Sequence, residues 1–188
     1  MPGAGIGLTA VSDETWDPED EHAACERIDR RHADNPRLTG WLAEQRDRFD
    51  DWDRREGRHG GGWDFSEPSL DRMEALIREH ITGPDDLFAQ EHTELVQVAC
   101  WYVGEVHNRT RGTQWRMDPE PADTHPWSKR PYVIMPFERL HAYKDPEGID
   151  YDARPQHHPL SSFLSLLSTE PTAGEGGGSL RGELDDYR

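Results

Sequence analysis

Leu95-Val96-Gln97-Val98-Ala99-Cys100-Trp101-Tyr102-Val103-Gly104-Glu105-Val106 is the most apolar stretch of the chain, and its reading decides how everything else must be arranged. At about 100° per residue, Leu95, Val98, Ala99, Tyr102, Val103 and Val106 share roughly a third of a helical wheel, and Phe88 falls on the same stripe. Cys100, Trp101 and Gly104 make the other side largely apolar too. A helix that is apolar nearly all round is covered on more than one side, so this segment is expected to be the central helix, running from about Pro84 to Arg109. Gly104 costs about 1 kcal/mol relative to Ala inside a helix, which points to close approach of another element's backbone at that position.

Working outward toward the N-terminus, Leu70, Met73, Ile77 and Ile81 recur at i, i+3, i+7 and i+11. They predict a helix with Ser66 or Ser69 as cap and Pro68 in its first turn, stopped by Thr82-Gly83-Pro84. Before it, Leu38, Trp41, Leu42, Gln45, Phe49 and Trp52 form one stripe of a helix from about Pro36 to Arg55, with its tryptophans packed onto the domain that follows. A first helix from Pro18 to about His32, with Asp17 as N-cap and an acidic first turn, has only Ala24, Cys25 and Ile28 to bury and is expected to be peripheral or marginal. Toward the C-terminus, Thr113–Met117 and Pro131–Met135 read as strands separated by a proline-rich loop. Residues 136–143 read as a short helix or bent strand, and Ser161–Leu167 as a final helix. The expected class is α+β, mainly helical, with a long central helix packed on a small β-sheet and disordered termini. The expected divisions are an acidic lead-in (1–17), a helical pair (18–57), a Gly-rich joint (58–62), an α+β core (63–168) and a disordered tail (169–188).

Trp63-Asp64-Phe65-Ser66, Ser69-Leu70-Asp71-Arg72-Met73-Glu74, Tyr102-Val103-Gly104-Glu105-Val106, Gly112 and Trp115 occur in that order. Together they resemble a family of uncharacterised bacterial domains with the pattern D-[FY]-S-x-x-S-L-x-x-[LM]-E, Y-[LV]-G-E-V and G-x-x-W. The resemblance spans roughly residues 63–140 and departs from the pattern at Thr113-Gln114, where a glycine is usual. It implies a compact α+β domain and no reaction.

The chain has 188 residues, with Lys+Arg 21 against Asp+Glu 38 for a formal net charge of −17, and a mean hydropathy of −0.98. Such acidity argues against sequence-independent nucleic-acid binding, which needs cations to neutralise phosphates. No run approaches the roughly 18 apolar residues of a membrane span, and the N-terminus lacks a signal-peptide pattern. The expected setting is therefore the cytoplasm. The two cysteines, Cys25 and Cys100, suit a reducing compartment. Lysine occurs only at 129 and 144, an arginine bias of the kind high-GC bacterial genomes produce.

Glu105, between Trp101 at i−4 and Arg109 at i+4, is the most informative polar residue. Its expected role is a structural carboxylate that pairs with Arg109 or Arg111 and fixes the Gly112–Trp115 turn. Trp101, Glu105, Arg109 and Trp115 are the expected binding residues. No H-E-x-x-H, C-x-x-C or G-x-S-x-G occurs, Glu138-x-x-His141 lacks a second copy, and His157-His158 lies in a Pro-flanked loop. The expectation is no metal and no cofactor. From Asp13 to Asp34 there are nine acidic and three basic residues, enough to steer a cationic partner. The leading functional expectation is a non-enzymatic protein-binding module, of inhibitor or immunity type, for a basic protein. The alternative is a small hydrolase or isomerase using Glu105, His107 and His141 as acid–base groups, which requires the three to converge.

Overall fold

A computed structural model describes residues 18–57, 62–119, 129–143, 152–168 and 178–187. In chain order the elements are α1 (Pro18–Ala33), α2 (Pro36–Glu56), α3 (Ser69–His80), α4 (Pro84–Gln90), α5 (Glu94–Arg111), β1 (Gln114–Arg116), β2 (Tyr132–Ile134), a 3-10 turn (Phe137–Ala142), β3 (Gln156–His157), α6 (Pro159–Leu167) and a second 3-10 turn (Gly182–Tyr187). The architecture is α+β and mainly helical, with a three-stranded antiparallel sheet in the order β1-β2-β3. Trp115 pairs with Val133, and Val133 in turn pairs with His157.

Helix α5 is the buried axis: Val96, Val98, Ala99, Tyr102, Val103 and Val106 are each fully covered. It does not begin at Pro84. The chain breaks after Gln90 because the Thr93 side chain accepts the Val96 N–H and starts a new helix, while Gln97 Nε2 donates to the Glu91 carbonyl at 2.7 Å. Phe88 therefore leaves the stripe and is 42% exposed. At the other end Gly112 takes the left-handed conformation (φ 75°) that terminates a helix without a Cβ clash. Gly104 admits close approach as expected, but what approaches is the Trp115 ring of β1 rather than a backbone; a Cβ at 104 would overlap that ring.

Helix α2 delivers its stripe to α5. Leu38 and Trp52 belong to the same hydrophobic cluster as Leu70, Met73, Val98, Tyr102 and Phe163, so α2 and the core beyond the joint share one interior. Helix α3 starts at Ser69 without a side-chain cap; Ser69 Oγ instead donates to the Ser66 carbonyl and accepts from Tyr102 Oη, both at 2.6 Å. The Pro-flanked stretch around His157 is not a loop: it supplies β3.

The expected disordered tail needs correction over its last part. Leu180 and Leu184 are buried in the main cluster, with Tyr187 buried beside them. The Leu180 N–H donates to Glu74 Oε1 at 2.7 Å, and Arg111 Nε donates to the Leu184 carbonyl at 2.8 Å. Leu180, Leu184 and Tyr187 follow one another at four- and three-residue steps, a helical spacing that buries one face of the turn. The acidic lead-in (1–17), residues 58–61 of the joint and residues 169–177 lie outside the described residues.

Helix α1, expected to be marginal, is fastened by charge. Asp29 Oδ2 accepts from Arg116 Nη2 at 2.7 Å, and Asp29 Oδ1 accepts from Arg154 Nη2 at 2.9 Å. Side-chain exposure is 9% for Asp29, 8% for Arg116 and 2% for Arg154. Burial alone would raise the Asp29 pKa, but the two guanidinium groups outweigh it and hold the carboxyl below its ordinary range. At the α1–α2 corner, buried Asn35 accepts the Arg37 N–H and donates to the Met117 and Asp118 carbonyls.

Candidate functional site

Two flanks of α5 carry the chemistry. Glu105 faces outward, where its Oε1 accepts the Trp115 indole N–H at 2.8 Å and its Oε2 lies 3.8 Å from Arg109 Nε. The carboxylate thus ties helix to strand across the Gly112 turn. Trp115 is locked from a second side by Trp41, edge-on at 5.3 Å between centroids. Of the four expected binding residues, Glu105 contacts both Trp115 and Arg109, and Trp101 lies one turn below Glu105 on the same helix.

Trp101, Glu105 and Arg109 line an open groove of about 710 Å³ between α2 and α5, together with Arg46, Asp47, Phe49 and Asp50. Phe65 forms part of the same wall. Its backbone has φ 57°, a left-handed conformation that costs an aromatic residue about 1–3 kcal/mol. Tyr102 compensates: its hydroxyl accepts the Phe65 N–H at 2.8 Å, and the two rings stack at 4.7 Å. The Arg109 guanidinium rests 3.4 Å from the Phe65 ring centroid. Trp101 is 3% exposed, and its indole N–H has no acceptor among the described residues. Periodicity places Phe49 on the α2 stripe as a packing residue. Asp47 and Asp50 carried no signal beyond their charge, because facing elements are needed to turn surface acids into a rim.

The opposite flank of α5 carries His107, fully buried, with both ring nitrogens lacking a hydrogen-bond partner among the described residues. Burial, reinforced by the nearby Arg111 cation, pushes its pKa down to about 3 and keeps the ring neutral. His157 of β3 stacks on it at 4.1 Å between centroids and 15° between planes. His157 is likewise held well below the ordinary histidine range by burial and by its histidine neighbours. Its Nε2 lies 3.1 Å from Ser162 Oγ, and its Nδ1 lies 3.4 Å from Glu183 Oε2. Cys100 is a buried free thiol whose pKa burial raises, which fits packing rather than reactivity.

The acid–base trio does not assemble. Glu105 and His107 are two residues apart on one helix and leave it on opposite sides. His141 is exposed on the Phe137–Ala142 turn, with its Nδ1 3.1 Å from the Glu138 carbonyl. No helix among the described residues is long and apolar enough to cross a membrane. No family model, curated protein or solved structure matches the chain, so its function is read from this geometry.

Proposed function

We propose that the protein is a non-enzymatic protein-binding module, of inhibitor or immunity type, and that the groove between α2 and α5 receives a side chain of a basic partner. The observation that carries this reading is the combination of an aromatic wall, Phe49, Phe65 and Trp101, with a rim on which three acids, Asp47, Asp50 and Glu105, outnumber the two cations Arg46 and Arg109. Arg109 over Phe65 and beside Glu105 has the form that fits, an apolar stem for the rings and a cation for an acid, and a partner's lysine or arginine would add a second such cation toward Asp47 and Asp50. The strained Phe65 backbone supports the same reading, since such conformations cluster at sites where a side chain must be presented in a fixed direction. The net charge of −17 supplies long-range attraction for a cationic partner.

The test is capture from the native host's lysate by the full chain at about 0.1 M and about 0.5 M salt, where the Debye length contracts from about 10 Å toward 4 Å. A basic protein should be retained at low salt and released at high salt, and the double variant Asp47→Asn/Asp50→Asn should retain markedly less of it. Equal retention by that variant, or undiminished retention at high salt, would overturn the reading.

A further inference from the structure

His107, His157 and Glu183 come from α5, β3 and the C-terminal 3-10 turn, three elements far apart in sequence. One donor atom from each lies within 4.8 Å of the others. We propose that these three side chains form a binding site for a divalent transition-metal ion of the zinc class, and that the ion clasps the Gly182–Tyr187 turn to the central helix.

Four observations carry the assignment. First, His107 is completely covered, yet neither ring nitrogen has a partner among the described residues. Native interiors rarely leave an imidazole in that condition, because a neutral ring always carries an N–H to satisfy as well as a lone pair. A metal on one nitrogen uses the lone pair that the fold otherwise leaves idle. Second, two buried imidazoles from different elements are held against each other, with 4.1 Å between the centroids of His107 and His157. Third, the supporting shell is present on His157. Ser162 Oγ, 3.1 Å from Nε2, fixes the ring so that Nδ1 is directed toward Glu183 Oε2, 3.4 Å away. Fourth, the site is closed by further protein: the Tyr187 ring stands edge-on to His107 at 5.4 Å, and its buried hydroxyl has no partner among the described residues.

The donor set selects the cation. Two imidazoles and one carboxylate suit zinc, cobalt or nickel, whereas calcium and magnesium favour oxygen-only surroundings. The two rings are nearly parallel, 15° between planes, so coordination requires the His107 ring, which no hydrogen bond among the described residues restrains, to turn until its lone pair converges with that of His157. Three protein donors leave a fourth position for water or for the Tyr187 hydroxyl. Arg111, the nearest cation, is occupied by Glu67 and by the Leu184 carbonyl, so it braces the turn without entering the donor set.

The full chain, stripped with chelator, is titrated at pH 7 with Zn²⁺ by calorimetry and with Co²⁺ by visible absorption. One equivalent should bind, Co²⁺ should give the intense d–d bands of a low-coordinate nitrogen–oxygen site, and excess Zn²⁺ should raise the Tm. Glu183→Gln, at the edge of the site, should weaken binding at least about 10-fold, as should His157→Gln. Ser162→Ala should weaken it about 10-fold through loss of the ring's support. The exposed His141→Ala should bind as the parent does. Absence of stoichiometric binding by the unaltered chain would overturn the proposal without recourse to any variant. So would binding that Glu183→Gln leaves intact, or binding that His141→Ala removes.

Discussion

Helices α1 and α2 are neighbours in sequence and are both densely charged, yet the molecule holds them by different physics. Helix α2 is seated by area. Trp52 is fully buried, Phe49 lies 5.1 Å from Phe65 and 5.2 Å from Trp101, and Trp52 lies 5.2 Å from Trp63. Its ion pair to the central helix, Arg55–Glu94 at 2.8 Å, sits in solvent with side chains 50% and 38% exposed. Helix α1 has little apolar surface to offer, and its Ile28 is 45% exposed. It is seated by polar contacts, chiefly the carboxylate of Asp29 sealed between Arg116 and Arg154, with His32 2.8 Å from the Tyr132 hydroxyl and its carbonyl accepting the Met117 N–H. Ion pairs of the same type are therefore unequal. The exposed pair is screened and near neutral in its effect, whereas the buried cluster becomes costly once one member is removed.

The largest effect that separates the two helices is expected from Trp52→Ala, which should cost about 3–5 kcal/mol in urea unfolding. Its stability should run parallel to that of the parent across pH 3–7; a change of pH profile would mean that the tryptophan supports more than packing. Asp29→Ala should cost about 3 kcal/mol by leaving the buried Arg116 guanidinium without a carboxylate among the described residues, while Arg154 keeps Asp152 at 2.7 Å. Here the pH profile is the sharper readout. The folded-state pKa of Asp29 lies below its ordinary value of 3.8, so the unfolded chain binds the proton more readily. Its contribution is full above about pH 4 and is lost as pH falls through the depressed folded value. Asp29→Asn should flatten that part of the acid-unfolding curve, and an unchanged acid limb would remove Asp29 from the account. Gly104→Ala should cost about 1–3 kcal/mol despite the better helix propensity of alanine, because the Trp115 ring must give way. Trp115 fluorescence should report the displacement. Arg55→Ala should change stability by no more than about 0.5 kcal/mol. A loss comparable to that of Asp29→Ala would abolish the distinction between exposed and buried pairs.

The same contrast explains what was legible in the sequence. Area leaves a local trace: the stripe Leu38, Trp41, Leu42, Gln45, Phe49 and Trp52 is readable because helical neighbours recur every three or four residues. The i,i+4 neighbour of Glu105 and its role at the Gly112 turn were legible for the same reason. Asp29 meets its partners across 87 and 125 residues, and no periodicity encodes such a pairing. His107, His157 and Glu183 are separated in the same way, which is why the histidines read as an acid–base candidate and a loop residue. The break between α4 and α5 was missed for a different reason. Gln90-Glu91-His92 contains neither glycine nor proline, and the deciding signal was one capping threonine at 93. In the final segment the Leu180, Leu184 and Tyr187 spacing was present but was outweighed by its glycine-rich approach.

That final segment has a consequence for the order of events during synthesis. Residues 178–187 cover surfaces of α3, α5 and α6 through Leu180, Leu184 and the hydrogen bonds to Glu74 and Arg111. Translation delivers them after every element that they cover. A nascent chain that has emerged only to α6 must therefore hold its apolar interior partly open to solvent, and consolidation waits for the closing turn. This interval is when a chaperone would find a binding surface.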